Sequence, residues 1–248
     1  MTQSIYYPDI KTSFTKICPY LEHLGKDSTI QKQLQILRPP GLTIIARIER
    51  TQEVPFKEAI EKIQTRSGRR FCSSKCLHFT LLGLFNDKRM SNQIDKDEII
   101  RSATAFIKRT HFRHVKINFN LVRPGAFYTH GGPCDYISDG MLVAMADNRS
   151  KEVNEFNLLG DDLACHLRQN FPSIFYPSIY LRLKREHPTV WSTVGYFEEP
   201  DFDIDRALAT ILEEFKSFNA VVTVSQLEVR SYTLRSLENS ELVATIDL

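Results

Sequence analysis

Two halves of this chain spell out the same order of elements, and any fold has to accommodate both. His78-Phe79-Thr80-Leu81 lies inside the run CLHFTLLGLF, and His187-Pro188-Thr189-Val190 lies inside EHPTVWSTVGYF. Each run is followed by an acidic helix cap, an amphipathic stretch and an alternating strand. The cap stands 17 positions after His78, at Asp95, and 16 after His187, at Asp203. A Val-Arg pair closes each half, Val122-Arg123 and Val229-Arg230, with Arg123 28 positions beyond Asp95 and Arg230 27 beyond Asp203. The strand ends correspond as LLGLF and VGYF, the second carrying about three extra residues before its glycine. A duplicated strand–helix–strand unit predicts an α+β protein. Its expected form is bilobal and pseudo-twofold, with two antiparallel-rich β-sheets around a central groove and helices outside.

Each motif reads His-x-Thr-apolar on a predicted strand. Side chains two apart on a strand share a face, about 6–7 Å from one another. Each copy therefore offers an imidazole beside a hydroxyl. A pseudo-twofold axis would bring the two pairs together across a groove although 109 residues separate them. Two imidazoles and two hydroxyls suit one phosphate. One such string is weak, since composition alone yields about 0.2 chance occurrences. Two strings at matching places in a repeat carry far more weight.

Residues 1–40 are expected to form a separate helical extension, with Phe14, Ile17, Tyr20, Leu21 and Leu24 at helical spacing. Arg38-Pro39-Pro40-Gly41 ends it, and residues 41–248 form the main domain. Within that domain, strands are expected at 42–48, 77–85, 115–122, 141–146, 189–197, 221–229 and 241–246, with 178–183 as a strand or extended approach. Helices are expected near 55–65, 95–110, 154–170 and 203–218. Residues 67–74 and 123–140 read as loops, the second a loose hairpin rich in glycines and aromatics.

Charge excludes a bulk electrostatic DNA binder, because the formal net charge is only +2. The basic stretch Arg66, Arg69, Arg70 and Lys75 reads first as a solvated loop and second as a nucleic-acid patch. Five cysteines form no disulfide framework and fit reduced thiols in a cytoplasmic protein. Cys72, Cys76 and His78 lack the second ligand pair of a zinc site, and His111 with His114 read as surface residues. No metal and no cofactor are expected. The polar N-terminus has no signal-peptide core, and no apolar run reaches the ~18 residues of a membrane span.

The paired motifs HFTL at 78–81 and HPTV at 187–190 resemble those of the two-histidine (2H) phosphoesterase superfamily, over roughly residues 42–248. That superfamily includes RNA 2′,3′-cyclic phosphodiesterases and 2′-5′ RNA ligase-like proteins. The resemblance implies His78 and His187 as catalytic groups, His78 as general acid and His187 as base. It implies Thr80 and Thr189 as phosphate ligands. Pro188 departs mildly from the pattern, because proline donates nothing to a sheet ladder and suits an edge or strand start. The implied partner is a nucleotide or RNA end with a cyclic phosphate or 2′-5′ linkage, bound by a monomer with no membrane.

Further candidates come from position. Trp191, two beyond Thr189, stands for base stacking or core packing alike. Tyr128 and Tyr136 lie in the aromatic loop and could close over a nucleotide. Arg123 and Arg230 stand at repeat-equivalent strand ends, solvated by default. The leading expectation is a metal-independent phosphodiesterase. Competing readings are 2′-5′ RNA ligation in the same site, a nucleotide- or RNA-binding module with little turnover, and a structural α+β protein.

Overall fold

The structure is a computed structural model that describes residues 41–68, 71–85, 96–127, 136–147, 149–172, 190–197, 213, 218–232, 237 and 240–248. The helices expected within 1–40 and the expected strand at 178–183 lie outside the described residues. So does nearly all of the helix expected at 203–218, of which Glu213 is described and helical.

Strands and helices alternate from the start. β1 (Gly41–Arg47) leads to α1 (Val54–Ser67), then to a short β2 (Phe71–Ser73) and β3 (His78–Phe85). α2 (Lys96–Arg109) connects to β4 (Val115–Phe127), and β5 (Tyr136–Ala146) pairs back on it. α3 (Lys151–Asn170) precedes β6 (Trp191–Phe197). β7 (Ala220–Val224), β8 (Gln226–Tyr232) and β9 (Glu241–Asp247) complete the chain.

Sequence explains the helix ends. Pro55 opens α1, where its missing N–H is harmless, and Gly68 closes it in the left-handed conformation at φ 66°. Ser150 caps α3 by accepting a hydrogen bond from the Val153 amide at 3.1 Å. Asp97 and Glu98 in the first turn of α2, with Lys108 and Arg109 in its last, complement the helix dipole.

Two antiparallel sheets result, one ordered β3-β1-β8-β9 and the other β2-β6-β5-β4-β7. Their order reveals the duplication. The strand carrying His78, a preceding strand and a Val-Arg strand lie side by side as β3-β1-β8. The strand of the second half lies in β6-β5-β4, in the same arrangement. Each half thus places its motif strand in one sheet and its closing strand in the other. The repeat begins earlier than the motifs suggest. β1 and α1 correspond to β5 and α3.

One core joins the two sheets. Phe79 of β3 meets Phe119 of β4 at 5.6 Å and Phe156 of α3 at 5.1 Å, while Phe56 of α1 meets Phe119 at 5.5 Å. These rings are edge-on or tilted, the arrangement that favours aromatic pairs beyond simple burial. All four are fully buried.

Two sequence expectations are corrected. The single strand expected at 221–229 is two strands: β7 pairs with β4 in one sheet, and β8 pairs with β1 and β9 in the other. The inward residues change parity between Val222/Val224 and Leu227/Val229, so a straight strand would turn one set outward. The loop expected at 67–74 contains β2, which pairs with β6 and covers the edge of its sheet. Residues 123–127 and 136–140 belong to the antiparallel pair β4 and β5, in line with the hairpin expected at 123–140, with Tyr136 opening β5 opposite Phe127. Pro124 is tolerated there because β7 pairs with β4 only over residues 115–119, leaving that side of Pro124 free of ladder partners.

Candidate functional site

β3 is an edge strand whose two faces are sorted by side chain. Phe79 and Leu81 enter the core, and His78 and Thr80 point the other way, His78 half-buried and Thr80 exposed. The neighbouring strands continue that face. Arg47 lies opposite His78, and Ile45 opposite Thr80. On β8, Leu227 and Val229 are core residues, while Glu228 lies opposite Ile45 and Arg230 opposite Thr43. Ile45, Cys76 and Leu237 form a small separate apolar cluster on this side, with Tyr232 packed against it. Tyr232 lies so close over β1 that a Cβ on Gly41 would meet its ring at 2.6 Å.

The His78 imidazole is held in one tautomer. Its Nδ1 lies 2.8 Å from the Cys76 carbonyl oxygen. A carbonyl only accepts, so Nδ1 carries the proton and Nε2 is left to face other groups. Burial pushes the His78 pKa below its ordinary value, against the Cys76 hydrogen bond, and the Arg230 and Arg47 cations lower it further while Glu228 opposes them. His78 is therefore neutral at pH 7, with an unprotonated Nε2. Cys76 itself is buried, and burial raises its thiol pKa, so it acts as a structural backbone acceptor rather than a nucleophile.

Arg230 is not the solvated strand end expected from sequence. Its side chain is 12% exposed and ion-paired with Glu228, itself 9% exposed. Its Nε donates to Ser240 Oγ at 2.7 Å and its Nη2 to the Ser240 carbonyl at 3.1 Å. It sets the field behind His78 with its donors already engaged. Arg47 and Glu228 escaped sequence reasoning because neither stands in a motif. The alternation Leu227-Glu228-Val229-Arg230 was the available signal for Glu228.

On the other sheet, β6 comes within 8 Å of β3 between Cα atoms. The Ser74 amide also donates to the Val194 carbonyl at 3.0 Å. His187 and Thr189 lie outside the described residues, as does Tyr128. Trp191 opens β6 opposite Met145, half-buried and packed against the main core. Irregularities in pairing allow the two motif strands to be aligned. On β3 the register shifts at Leu81, between the pairs Ile45–Thr80 and Ile44–Leu82. On β6 it shifts at Val194, between Val143–Thr193 and Leu142–Gly195. Counted back from these bulges, Trp191 and Thr193 occupy the places of His78 and Thr80. The HPTV motif stands four residues upstream.

Arg66 faces Glu213 at 3.7 Å between exposed side chains, and His111, His114 and Lys75 are exposed. Arg69 and Arg70 lie outside the described residues, and Arg123 is on β4. Among the described residues no cluster of three or more His, Cys, Asp or Glu side chains converges as metal ligands. Among them, too, no helix is long and apolar enough to cross a membrane.

Two antiparallel sheets with helices packed outside make an α+β bilobal fold. The crystal structure of TT0787 from Thermus thermophilus is similar at a TM-score of 0.51 and 11% identity, covering 84% of this chain and 97% of that one. E. coli LigT in its apo form is similar at a TM-score of 0.46 and 11% identity, covering 85% and 98%. Kluyveromyces marxianus Usb1 gives 0.41 and 9%, covering 84% and 97%. No protein-family model and no curated protein sequence matches the chain.

Proposed function

We propose that residues 41–248 form a metal-independent phosphodiester hydrolase acting on a 2′,3′-cyclic phosphate or a 2′-5′ linkage in a nucleotide or RNA end. The observation that carries this reading is His78: an imidazole on the face of β3 turned away from the core, with its Nδ1 proton held by the Cys76 carbonyl and its pKa lowered by burial. Such a group is a base at neutral pH. This reverses the polarity implied by the family resemblance, in which His78 is the acid. His78 Nε2 takes a proton from water as the water oxygen attacks phosphorus. His187 gives a proton to the ribose oxygen whose bond to phosphorus breaks. The products are a phosphomonoester and a free hydroxyl. Thr80 and Thr189 donate to nonbridging oxygens as they gain charge. Residues 1–40 are assigned as a separate extension, and the protein as a monomer, placed in the cytoplasm on its cysteine usage.

The test is hydrolysis of nucleoside 2′,3′-cyclic phosphates and 2′-5′ oligonucleotides. His78→Ala and His187→Ala should each lower kcat by at least 100-fold, in the range of general acid–base contributions of about 10²–10⁴. Wild-type rates in both variants overturn the proposal.

One observation favours a second reading, a nucleotide- or RNA-binding module with little turnover. By register, Trp191 rather than a histidine stands where β3 has His78. Tight binding of the same panel without cleavage, lost in Trp191→Ala, supports it.

A further inference from the structure

Arg47 is the last residue of β1 and lies directly opposite His78. Opposed residues on antiparallel strands point to the same face with Cβ atoms about 4.5–5.5 Å apart. Arg47 is exposed, and among the described residues no ion pair or hydrogen bond from its guanidinium is seen. Its charge is felt at both His78 and Cys76. The other cation on this face, Arg230, is committed to Glu228 and Ser240. The same position on the second sheet, opposite Trp191, holds Met145. The two sides of the site therefore differ: Arg47, His78 and Thr80 on one, Met145, Trp191 and Thr193 on the other.

We propose that Arg47 is the phosphate-binding cation of this site, so that a ligand lies with its phosphate on the β1–β3 side and its base toward Trp191. The inference rests on the phosphoesterase reading above for the presence of a phosphate, and adds which residue holds it and which way the ligand points. A guanidinium presents two parallel N–H donors that match two nonbridging oxygens, a geometry lysine lacks. Being exposed, Arg47 can be replaced with little effect on folding.

The experiment compares wild type, Arg47→Ala, Arg47→Lys, Trp191→Ala and His78→Ala. The probes are inorganic phosphate, adenosine 2′,3′-cyclic phosphate and a short oligoribonucleotide ending in a cyclic phosphate, each measured by calorimetric binding and, for the esters, by turnover. Melting temperature controls for folding. Arg47→Ala should weaken phosphate binding at least tenfold and raise KM for both esters, with Arg47→Lys between it and wild type. Trp191→Ala should leave phosphate binding within twofold and weaken both adenine-bearing ligands. Loss confined to the oligonucleotide in Arg47→Ala would overturn the proposal in favour of a backbone contact beyond the site. Unchanged phosphate binding in Arg47→Ala, with turnover still lost in His78→Ala, overturns the Arg47 assignment and leaves the hydrolase standing. A wild type that neither binds phosphate nor cleaves either ester overturns both.

Discussion

His78 shows how much one backbone carbonyl can decide. The Cys76 oxygen fixes its tautomer, and burial keeps it neutral. The acid limb of a kcat/KM–pH profile should therefore fall below pH 6.5, the ordinary histidine value, while loss of the proton that His187 donates sets the alkaline limb. The same shift acts on stability. A histidine whose folded pKa is depressed binds fewer protons folded than unfolded. Stability is complete above the ordinary value and is lost as pH falls from there toward the folded pKa. Thermal unfolding between pH 5 and 7.5 should show that loss, reduced in His78→Gln; His166, also lowered by burial, adds a part that this variant leaves in place. The Glu228–Arg230 pair is nearly buried, so Glu228→Gln strands a charge and should destabilise by about 3–5 kcal/mol in denaturant titrations, far more than an exposed pair such as Arg66–Glu213. The His-x-Thr pair was legible in sequence because period-2 alternation places it. Arg47 was not, because only strand pairing sets it opposite His78.

At the scale of elements, β3 holds its two outward residues by the one between them. Phe79 is fully buried against Phe119 and Phe156. Phe79→Ala should cost about 3–5 kcal/mol and lower kcat as well as stability, since it loosens both His78 and Thr80. β1 answers with a close approach at Gly41. Gly41→Ala forces the Tyr232 ring away and should be destabilising, while Gly83→Ala, where a Cβ meets nothing within 4 Å, should not be for lack of space; parallel melts decide it. Most elements were readable from periodicity, including all three described helices within a few residues. β7 and β8 were not separated, although the parity change around Ser225 was present in the apolar pattern. β2 carried no readable signal: three residues have no period, and pairing with β6 makes them a strand.

At the scale of the whole molecule, the described residues share one main core built from two swapped halves. The aromatic contacts cross from one sheet to the other, so neither sheet has a private core. Unfolding should be a single transition, with Trp191 fluorescence, near-UV and far-UV dichroism coinciding in denaturant; two separated transitions would contradict a shared core. Sequence by itself determined the α+β class, the duplication and the face of β3 that carries His78 and Thr80. These follow from local periodicities that the chain states directly. Only tertiary structure decided that the repeat begins at β1 and that each half gives strands to both sheets. It also decided that Arg230 is ion-paired, that Arg47 faces His78, and that Trp191 aligns with His78. Each of these depends on strand register and on bulges at Leu81 and Val194, which hydrogen bonds between distant segments set and which no stretch of sequence expresses alone.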